Sequence, residues 1–502
     1  MDFLDPKKKR NYKIRLIIGY VLVAIALALA TIVLVYGAYG YSINTKTGSV
    51  IQNGLLFVDS KPRGATIYLN SQRHGTTSAR LVLPSGNYTL KLTKTGYRNW
   101  QRSISLEAQT IDRFVYPFLF PTKPRVTNLK TYVSVPPLVT ETPDRHWLLV
   151  QLPNSDPSVV SFDQFDTSKL DQTQSPTVVN LPAGILTNTD LPDNSLTEVA
   201  WSTDNSHLLL KHGYQGGSEF IVFNRSVPSD SFNVNKALKI NPTDVELRND
   251  SVSQLYIYDA AAESLSVADT TKDVVDKPFL THVLAFKGYG TSLITYVTDN
   301  KMPAGQVQAR IWDNGPTYAL ATLAAGDHYL IDAAQYQSDW YYVAGSSGND
   351  HIFLYKNPLS SLTAGDKALS FISLRVAGAD QVGFSANTRF VEAESGQQFG
   401  VYDFETMTRY QYTVQAALAG PMHWMDGHRL IGASNGQVFV MDYDGTNQQS
   451  LTITDFALGG YFSNDYNHLL TTAPASDGTS VILQNVDMRA GTDLPPAPST
   501  SS

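Results

Sequence analysis

"VAWSTDNSHLLL" (Val199–Leu210) is the stretch on which the fold turns. An apolar residue and an aromatic lead into a polar turn carrying Asp or Asn, and a short apolar run leaves it. A companion strand ending near Asp or Asn follows, here "EFIVFNR" (Glu219–Arg225). The cassette recurs as "VTETPDRHWLLV" from Val139, "LAFKGYGTSLITY" from Leu284, "AQYQSDWYYVAG" from Ala334 and "VGFSANTRFVEA" from Val382. "MHWMDGHRLIGA" from Met422 and "GYFSNDYNHLLT" from Gly460 complete the series. At the aromatic position stand Glu141, Trp201, Phe286, Tyr336, Phe384, Trp424 and Phe462, spaced by 60, 85, 50, 48, 40 and 38 residues. Glu141 alone is not aromatic.

Periods near 40–50 residues built only from strands indicate a β-propeller with one four-stranded blade per repeat. An isolated blade leaves both faces uncovered, whereas packing blades about an axis covers them and protects the edges. Seven blades are expected over residues 125–490. The gap between Trp201 and Phe286 contains "QLYIYDAAAESLSVADTT" (Gln254–Thr271), so it holds either a long insertion or an eighth, degenerate blade. "RVTNLKTY" (Arg125–Tyr132) is expected to complete the last blade and close the ring. The cassettes resemble the blades of TolB-type propellers, in which a Trp-Ser-x-Asp-Gly hairpin precedes an apolar strand. Trp201-Ser202-Thr203-Asp204-Asn205 is the best match. The likeness is confined to the hairpin and implies a fold, with the aromatics as filling between blades.

Upstream, Leu55–Phe120 reads as five or six alternating strands separated by turn residues, a small antiparallel β-sandwich. Its landmarks are Ser60-Lys61-Pro62-Arg63-Gly64-Ala65, the strand Thr66–Asn70, Gly75-Thr76-Thr77, Leu83-Pro84-Ser85-Gly86-Asn87-Tyr88 and Lys94-Thr95-Gly96-Tyr97. These resemble a PEGA domain, with Arg63 in place of the name-giving glutamate and Ser78 where a proline often stands. The resemblance implies a non-catalytic module for envelope attachment or protein contacts. Tyr88, Tyr97 and Trp100 are expected on the sandwich core. Pro117, Pro121 and Pro124 mark a stiff linker to the propeller.

The chain opens with Lys7-Lys8-Lys9-Arg10, Lys13 and Arg15, followed by an uncharged apolar run from Leu16 to Tyr36. As a helix this run spans ~30 Å, the thickness of a bilayer's hydrocarbon core. The basic flank, residues 1–15, is expected in the cytoplasm, with residues 16–36 crossing and everything beyond on the outer side. A cleaved signal peptide is the rival reading, with Ala38-Tyr39-Gly40 as a weak cleavage site, but such apolar regions run ~7–15 residues. Residues 37–54 are expected as a polar stalk and 491–502, rich in proline and serine, as a disordered tail.

Past Arg15 the chain carries 32 basic against 43 acidic side chains, a net charge of −11, which argues against nucleic acid and anionic lipid as partners. With no cysteine there are no disulfides, thiolate metal sites or cysteine nucleophiles. No G-x-S-x-G elbow, H-E-x-x-H helix, phosphate loop or dinucleotide fingerprint occurs. His423 and His428 flank a hairpin turn and read as surface turn residues rather than a metal pair. Asp442, Asp444 and Asn447 in "MDYDGTNQ" have a D-x-D-G core but lack the rest of a calcium loop, and "ASDGTS" (Ala475–Ser480) reads as another Asp-Gly hairpin.

No catalytic, cofactor or metal residue is therefore expected, and no binding residue can be named. The expected function is that of a non-catalytic, membrane-anchored binding or scaffold protein on the outer side of the cell. In it the propeller recognises envelope proteins or cell-wall polysaccharide and the small sandwich acts as spacer or wall contact. Two alternatives predict different features. A glycan-processing enzyme or its accessory subunit would bring carboxylates together on the propeller axis. A component of an envelope assembly or secretion machine would expose a large apolar patch.

Overall fold

The computed structural model describes residues 6–38, 41–43, 50–172 and 175–495. The start of the expected basic segment (1–5), the middle of the expected stalk (44–49) and the end of the expected tail (496–502) lie outside the described residues.

Pro6–Ala38 is one helix of 33 residues, ~50 Å long. Within its stretch Lys9–Gly37 an 18-residue window has a mean hydropathy of 2.8 with no part of it buried, so by length and composition the helix can cross a membrane. The apolar run at 16–36 lies inside it.

The small domain has two four-stranded sheets. One runs Tyr41–Ile43, Val50–Val58, Ala79–Pro84, with Ile111–Phe114 on the other side of Val50–Val58. The other runs Gln72–Thr76, Thr66–Leu69, Gly86–Thr93, Trp100–Leu106. Period-two alternation sends Ile67, Leu69, Leu90, Leu92, Ile104 and Leu106 inward, where they meet Leu56 and Val58. Trp100, 1% exposed, and Tyr97 belong to this core and Tyr88 packs against it, as expected.

Three details differ from the sequence reading. The first long strand begins at Val50, so the end of the expected stalk is sheet, and Tyr41–Ile43 pairs with it. Val50–Val58 and Ile111–Phe114 pair in parallel, so the sandwich is mixed. Finally, Arg489–Asp493 joins this domain instead of ending the propeller or starting a free tail. Ala490 enters the core and its N–H donates to the Tyr97 hydroxyl (2.7 Å), which in turn donates to Asp493 (2.8 Å). Lys94 also pairs with Asp493 at 2.7 Å. Gly96, at φ +86°, leaves room for this segment, since a Cβ there would come within 3.1 Å of Ala490 Cβ.

The second unit is the propeller. Among the described residues it has eight antiparallel sheets, each of at least four strands. We number them blades 1–8 and letter the strands a–d in sheet order. Their first strands are Val139–Glu141, Ser195–Trp201, Asp244–Arg248, Ala285–Tyr289, Tyr329–Tyr336, Gln381–Phe384, His423–Trp424 and Tyr461–Phe462. The fourth strand of blade 8 is Arg125–Tyr132, which pairs with Val481–Asp487 and closes the ring as expected.

Eight blades, not seven, correct the expected count. The long gap holds a complete blade 3 from Asp244 to Thr281. It escapes the cassette because its a–b connection is a two-residue turn, Asn249-Asp250, with φ of +55° and +49°. That primed hairpin needs none of the cassette's polar residues.

In blades 1, 2, 6 and 8 the cassette builds one turn. The residue at its first position donates its N–H to the residue five places on: Thr142 to Trp147, Ser202 to His207, Ser385 to Phe390 and Ser463 to His468. The Asp or Asn at the third position accepts backbone N–H bonds from the turn, as Asp204 does from Ser206 and His207. The fourth position is left-handed: Arg145, Asn205, Thr388 and Tyr466 have φ of +56° to +57°. The motif's polar residues are therefore turn chemistry.

Burial follows the strand order. Leu208, Leu209 and Leu210 on strand b of blade 2 are fully buried, whereas strand d of blade 6, Thr408–Thr413, is largely exposed. Strand a of each blade meets its neighbour. Tyr461 donates to Val139 O (2.7 Å), the Trp201 indole to Thr140 Oγ1 (2.7 Å) and Gln381 to Met422 O (2.7 Å). These bonds stitch an inner ring of strands around the axis.

Candidate functional site

At the closing seam of the ring a cavity of about 220 Å³ opens among the inner strands of blades 7, 8, 1 and 2. Blades 1 and 2 contribute Glu141, Arg145 and Glu198. Blades 7 and 8 contribute His423, Trp424, Met425, Ile431, Leu458, Gly460, Tyr461 and Phe462. One side of the cavity is thus charged and the other mostly apolar. Leu458, 46% exposed, carries the cavity to the surface. We call it the mouth.

Each polar group is held by its own blade. Glu141 stands at the aromatic position of the blade 1 cassette. Arg145 occupies the left-handed position of the same turn, and its side chain reaches blade 7, where Nη2 donates to Met425 O (2.6 Å). The guanidinium lies over the Tyr466 ring of blade 8 at 4.9 Å and 3.8 Å from Glu141 Oε2. Gly459, at φ +86°, brings the blade 8 approach close to blade 7, because a Cβ there would sit 2.4 Å from Gly432 O.

Three buried atoms here have no partner: Glu141 Oε1, Arg145 Nη1 and His423 Nδ1. The Glu141 side chain is only 13% exposed and that of Arg145 23%. Buried polar atoms are normally satisfied, so three orphans among the residues lining one small cavity set it apart. Burial also sets the charge states. It pushes Glu141 up to about 8 against the lowering pull of Arg145. Glu198 is raised by burial and lowered in part by a bond from Thr140. His423 is pushed down to about 4, by burial first and Arg145 second. Burial raises the Tyr461 hydroxyl, and so do the nearby charges of Glu198 and Glu141.

Elsewhere on the inner ring, Glu246 of blade 3 is raised to about 7 by burial and Asp244, and it accepts from Gly288 N–H at 3.5 Å. Glu394 on strand b of blade 6, also raised to about 7 by burial, accepts from Met422 N–H at 2.9 Å. Its neighbour Glu392 has both oxygens unpartnered but is 1% exposed, sealed from any ligand.

The residues weighed in the sequence fall as follows. Of the cassette aromatics, Trp201 fills a seam between blades, and Phe384 stacks on Phe404 (5.9 Å), whereas Trp424 and Phe462 also line the mouth. His423 and His428 are not free surface residues: His423 lies on an inner strand, and His428 meets the Phe390 ring edge-on at 5.3 Å. Asp442 is 1% exposed and takes Asn447 Nδ2 at 2.9 Å, while Asp444 takes Thr446 Oγ1 at 2.7 Å; both serve a turn around Gly445. Asp477 accepts Thr479 and Ser480 N–H bonds at 3.0 and 2.8 Å, another turn.

Sequence reading missed Arg145 and the placing of His423 on one cavity with Glu141 and Arg145 of blade 1. It also missed Glu263, His282 and Asp299 of blades 3 and 4, whose ligand atoms lie within 4.8 Å of one another on the surface. The one signal it held was Glu141, the exception to the aromatic rule.

Residues 53–116 match the PEGA domain. Apart from Tyr41–Ile43 and the start of Val50–Val58, the strands of the two sheets lie in this segment, which ends before the propeller begins. Several solved structures are similar to the chain. The Dos1 propeller is 14% identical with a TM-score of 0.43, over 72% of this chain and 95% of its own. Porphyromonas gingivalis dipeptidyl peptidase 4 is 11% identical with a TM-score of 0.45, over 70% and 58%. A Listeria monocytogenes protein is 9% identical with a TM-score of 0.36, over 66% and 93%. No curated protein matches.

Proposed function

We propose that this chain is a membrane-anchored, extracytoplasmic binding protein whose propeller recognises its ligand at the mouth. The observation that carries this reading is that three residues lining one cavity, Glu141, Arg145 and His423, each keep a buried polar atom without a partner. A folded protein leaves such atoms unsatisfied at a cost of about 1–3 kcal/mol each, which a ligand supplying the missing bonds recovers. The basic flank of the apolar helix supports a cytoplasmic N-terminus, with the PEGA domain and propeller outside. The role is proposed as binding; Glu141 and Glu198 on the same cavity are also the paired carboxyl groups that the glycan-processing alternative calls for, and turnover is what separates the two.

The PEGA domain serves as spacer or wall contact. An open face of it, with a recess of about 600 Å³ lined by Tyr68, Asn70, Thr89, Lys91 and Gln101, supports the second role.

The test is retention by the full chain in lipid nanodiscs of isolated cell-wall polysaccharide and of native envelope proteins. Wild-type protein should retain one of them, and Leu458→Trp, which plugs the mouth, should weaken retention about tenfold. Equal retention by the plugged variant would contradict the mouth as the site. Turnover of the polysaccharide would overturn the non-catalytic role.

A further inference from the structure

The mouth's inventory also limits what can fill it. Arg145 Nη1 can only donate, Glu141 accepts when ionised and can donate when protonated, and His423 Nδ1 does either according to tautomer. A cationic ligand would meet the Arg145 guanidinium, which is already braced against Met425 O and Tyr466. A group carrying both donors and acceptors satisfies all three orphans.

Shape narrows this further. The polar atoms come mainly from blades 1 and 2, whereas Trp424, Ile431, Leu458 and Phe462 come from blades 7 and 8. An occupant with a hydroxyl edge and an apolar face matches that division. At about 220 Å³ the cavity is below the ~300–1,000 Å³ of pockets for drug-sized ligands, which suits one small ring and not a chain.

We infer that the mouth receives a single neutral sugar residue, held by its hydroxyls to Glu141, Arg145 and His423 and by its C–H face against the blade 7 and 8 wall. This deepens the binding role proposed above and rests on it. The charge states agree, since the raised Glu141 and the depressed His423 are both uncharged at pH 7. A protonated Glu141 becomes a donor to a ring or hydroxyl oxygen, a role a sugar accommodates without rearrangement.

The experiment is a calorimetric titration of the full chain in nanodiscs against three classes of probe. These are neutral tetrasaccharides (gluco, galacto, manno and N-acetylglucosaminyl), a tetragalacturonate, and an acetylated, amidated glycine tripeptide. A neutral saccharide should bind, and Arg145→Ala should weaken it at least ~10-fold. Because Arg145 also holds Met425 O, Leu458→Trp is the second variant. It replaces an exposed side chain at the entrance and should weaken the same saccharide without lowering the melting temperature. Preference for the uronate or the tripeptide, lost in Leu458→Trp, would overturn the sugar inference and leave the mouth as a binding site. Saccharide binding unchanged in both variants would overturn it as well. Failure of every probe to bind up to ~10 mM would count against both readings together.

Discussion

Two places on the same inner ring treat buried polar groups in opposite ways. Between blades 4 and 5, Asp332 is 6% exposed and fully engaged: Lys287 pairs with it at 2.9 Å, the Tyr289 hydroxyl donates to it, and Ala333 N–H donates to that hydroxyl at 2.5 Å. At the mouth, Glu141, Arg145 and His423 occupy comparable inner positions and each keeps an atom without a partner. Both places combine a carboxyl group, a cation and aromatic side chains. The difference is whether the protein itself completes the bonds. Where it does, the cluster holds two blades together; where it does not, the cluster is available to a ligand. Composition alone would not separate the two.

That contrast can be broken experimentally, and the largest effect is expected on the closed side. Asp332→Ala leaves the Tyr289 hydroxyl without its acceptor and the half-exposed Lys287 without its partner, and should destabilise the propeller by about 2–3 kcal/mol. Denaturant unfolding measures this, and ligand retention at the mouth should be unchanged. An effect below ~1 kcal/mol would show that the two clusters are not different in kind.

A smaller effect is expected at the edge of the mouth. The Trp201 indole N–H bonds Thr140 Oγ1, a fully buried acceptor, at 2.7 Å. Trp201→Phe should keep most of the packing and cost about 1–2 kcal/mol by removing the donor to Thr140 Oγ1. It marks the boundary between satisfied and unsatisfied groups.

The smallest effect, and the most diagnostic, belongs to Glu141→Gln. Near pH 6 it should change stability by less than ~1 kcal/mol, because a neutral amide replaces a carboxyl that is already protonated. The pH dependence carries the sign. Glu141 sits at about 8 when folded against an ordinary 4.5, so between those values the folded chain holds more protons and stability falls as pH rises. Glu141→Gln removes that loss, and the variant should melt above wild type at pH 8–9. His423 acts oppositely: lowered to about 4 from 6.5, it makes the fold lose stability as pH drops through that window. His423→Asn should therefore resist acid better than wild type. Melting curves from pH 4 to 9 check both.

How much of this was legible in the sequence depends on what each feature answers to. The apolar N-terminal helix and the PEGA sandwich are local patterns, a long apolar run and period-two strands with their turns, and they read directly. The cassette is legible because its turn needs Ser or Thr first, Asp or Asn third and a left-handed residue fourth, requirements met by Ser202, Asp204 and Asn205. Blade 3 hid because Asn249-Asp250 makes the same connection by other means. The return of Ala490 and Asp493 to the small domain involves five residues with no pattern of their own.

The site was barely legible. Arg145 occupies an unremarkable turn position and His423 reads as a turn residue. What joins them is closure of the ring, which brings residues 280 positions apart within bonding distance, as between Arg145 and Met425. Only Glu141 announced itself, by standing where every other repeat has an aromatic ring.

The most direct test of the mouth is hydrogen–deuterium exchange on the full chain with and without isolated cell-wall polysaccharide. The account predicts slowed exchange in residues 139–147, 422–431 and 456–462, and little change across 285–336, where the inner ring is already satisfied. Protection confined to the sandwich strands between residues 66 and 106, with the mouth unchanged, would contradict it and move recognition to the PEGA domain.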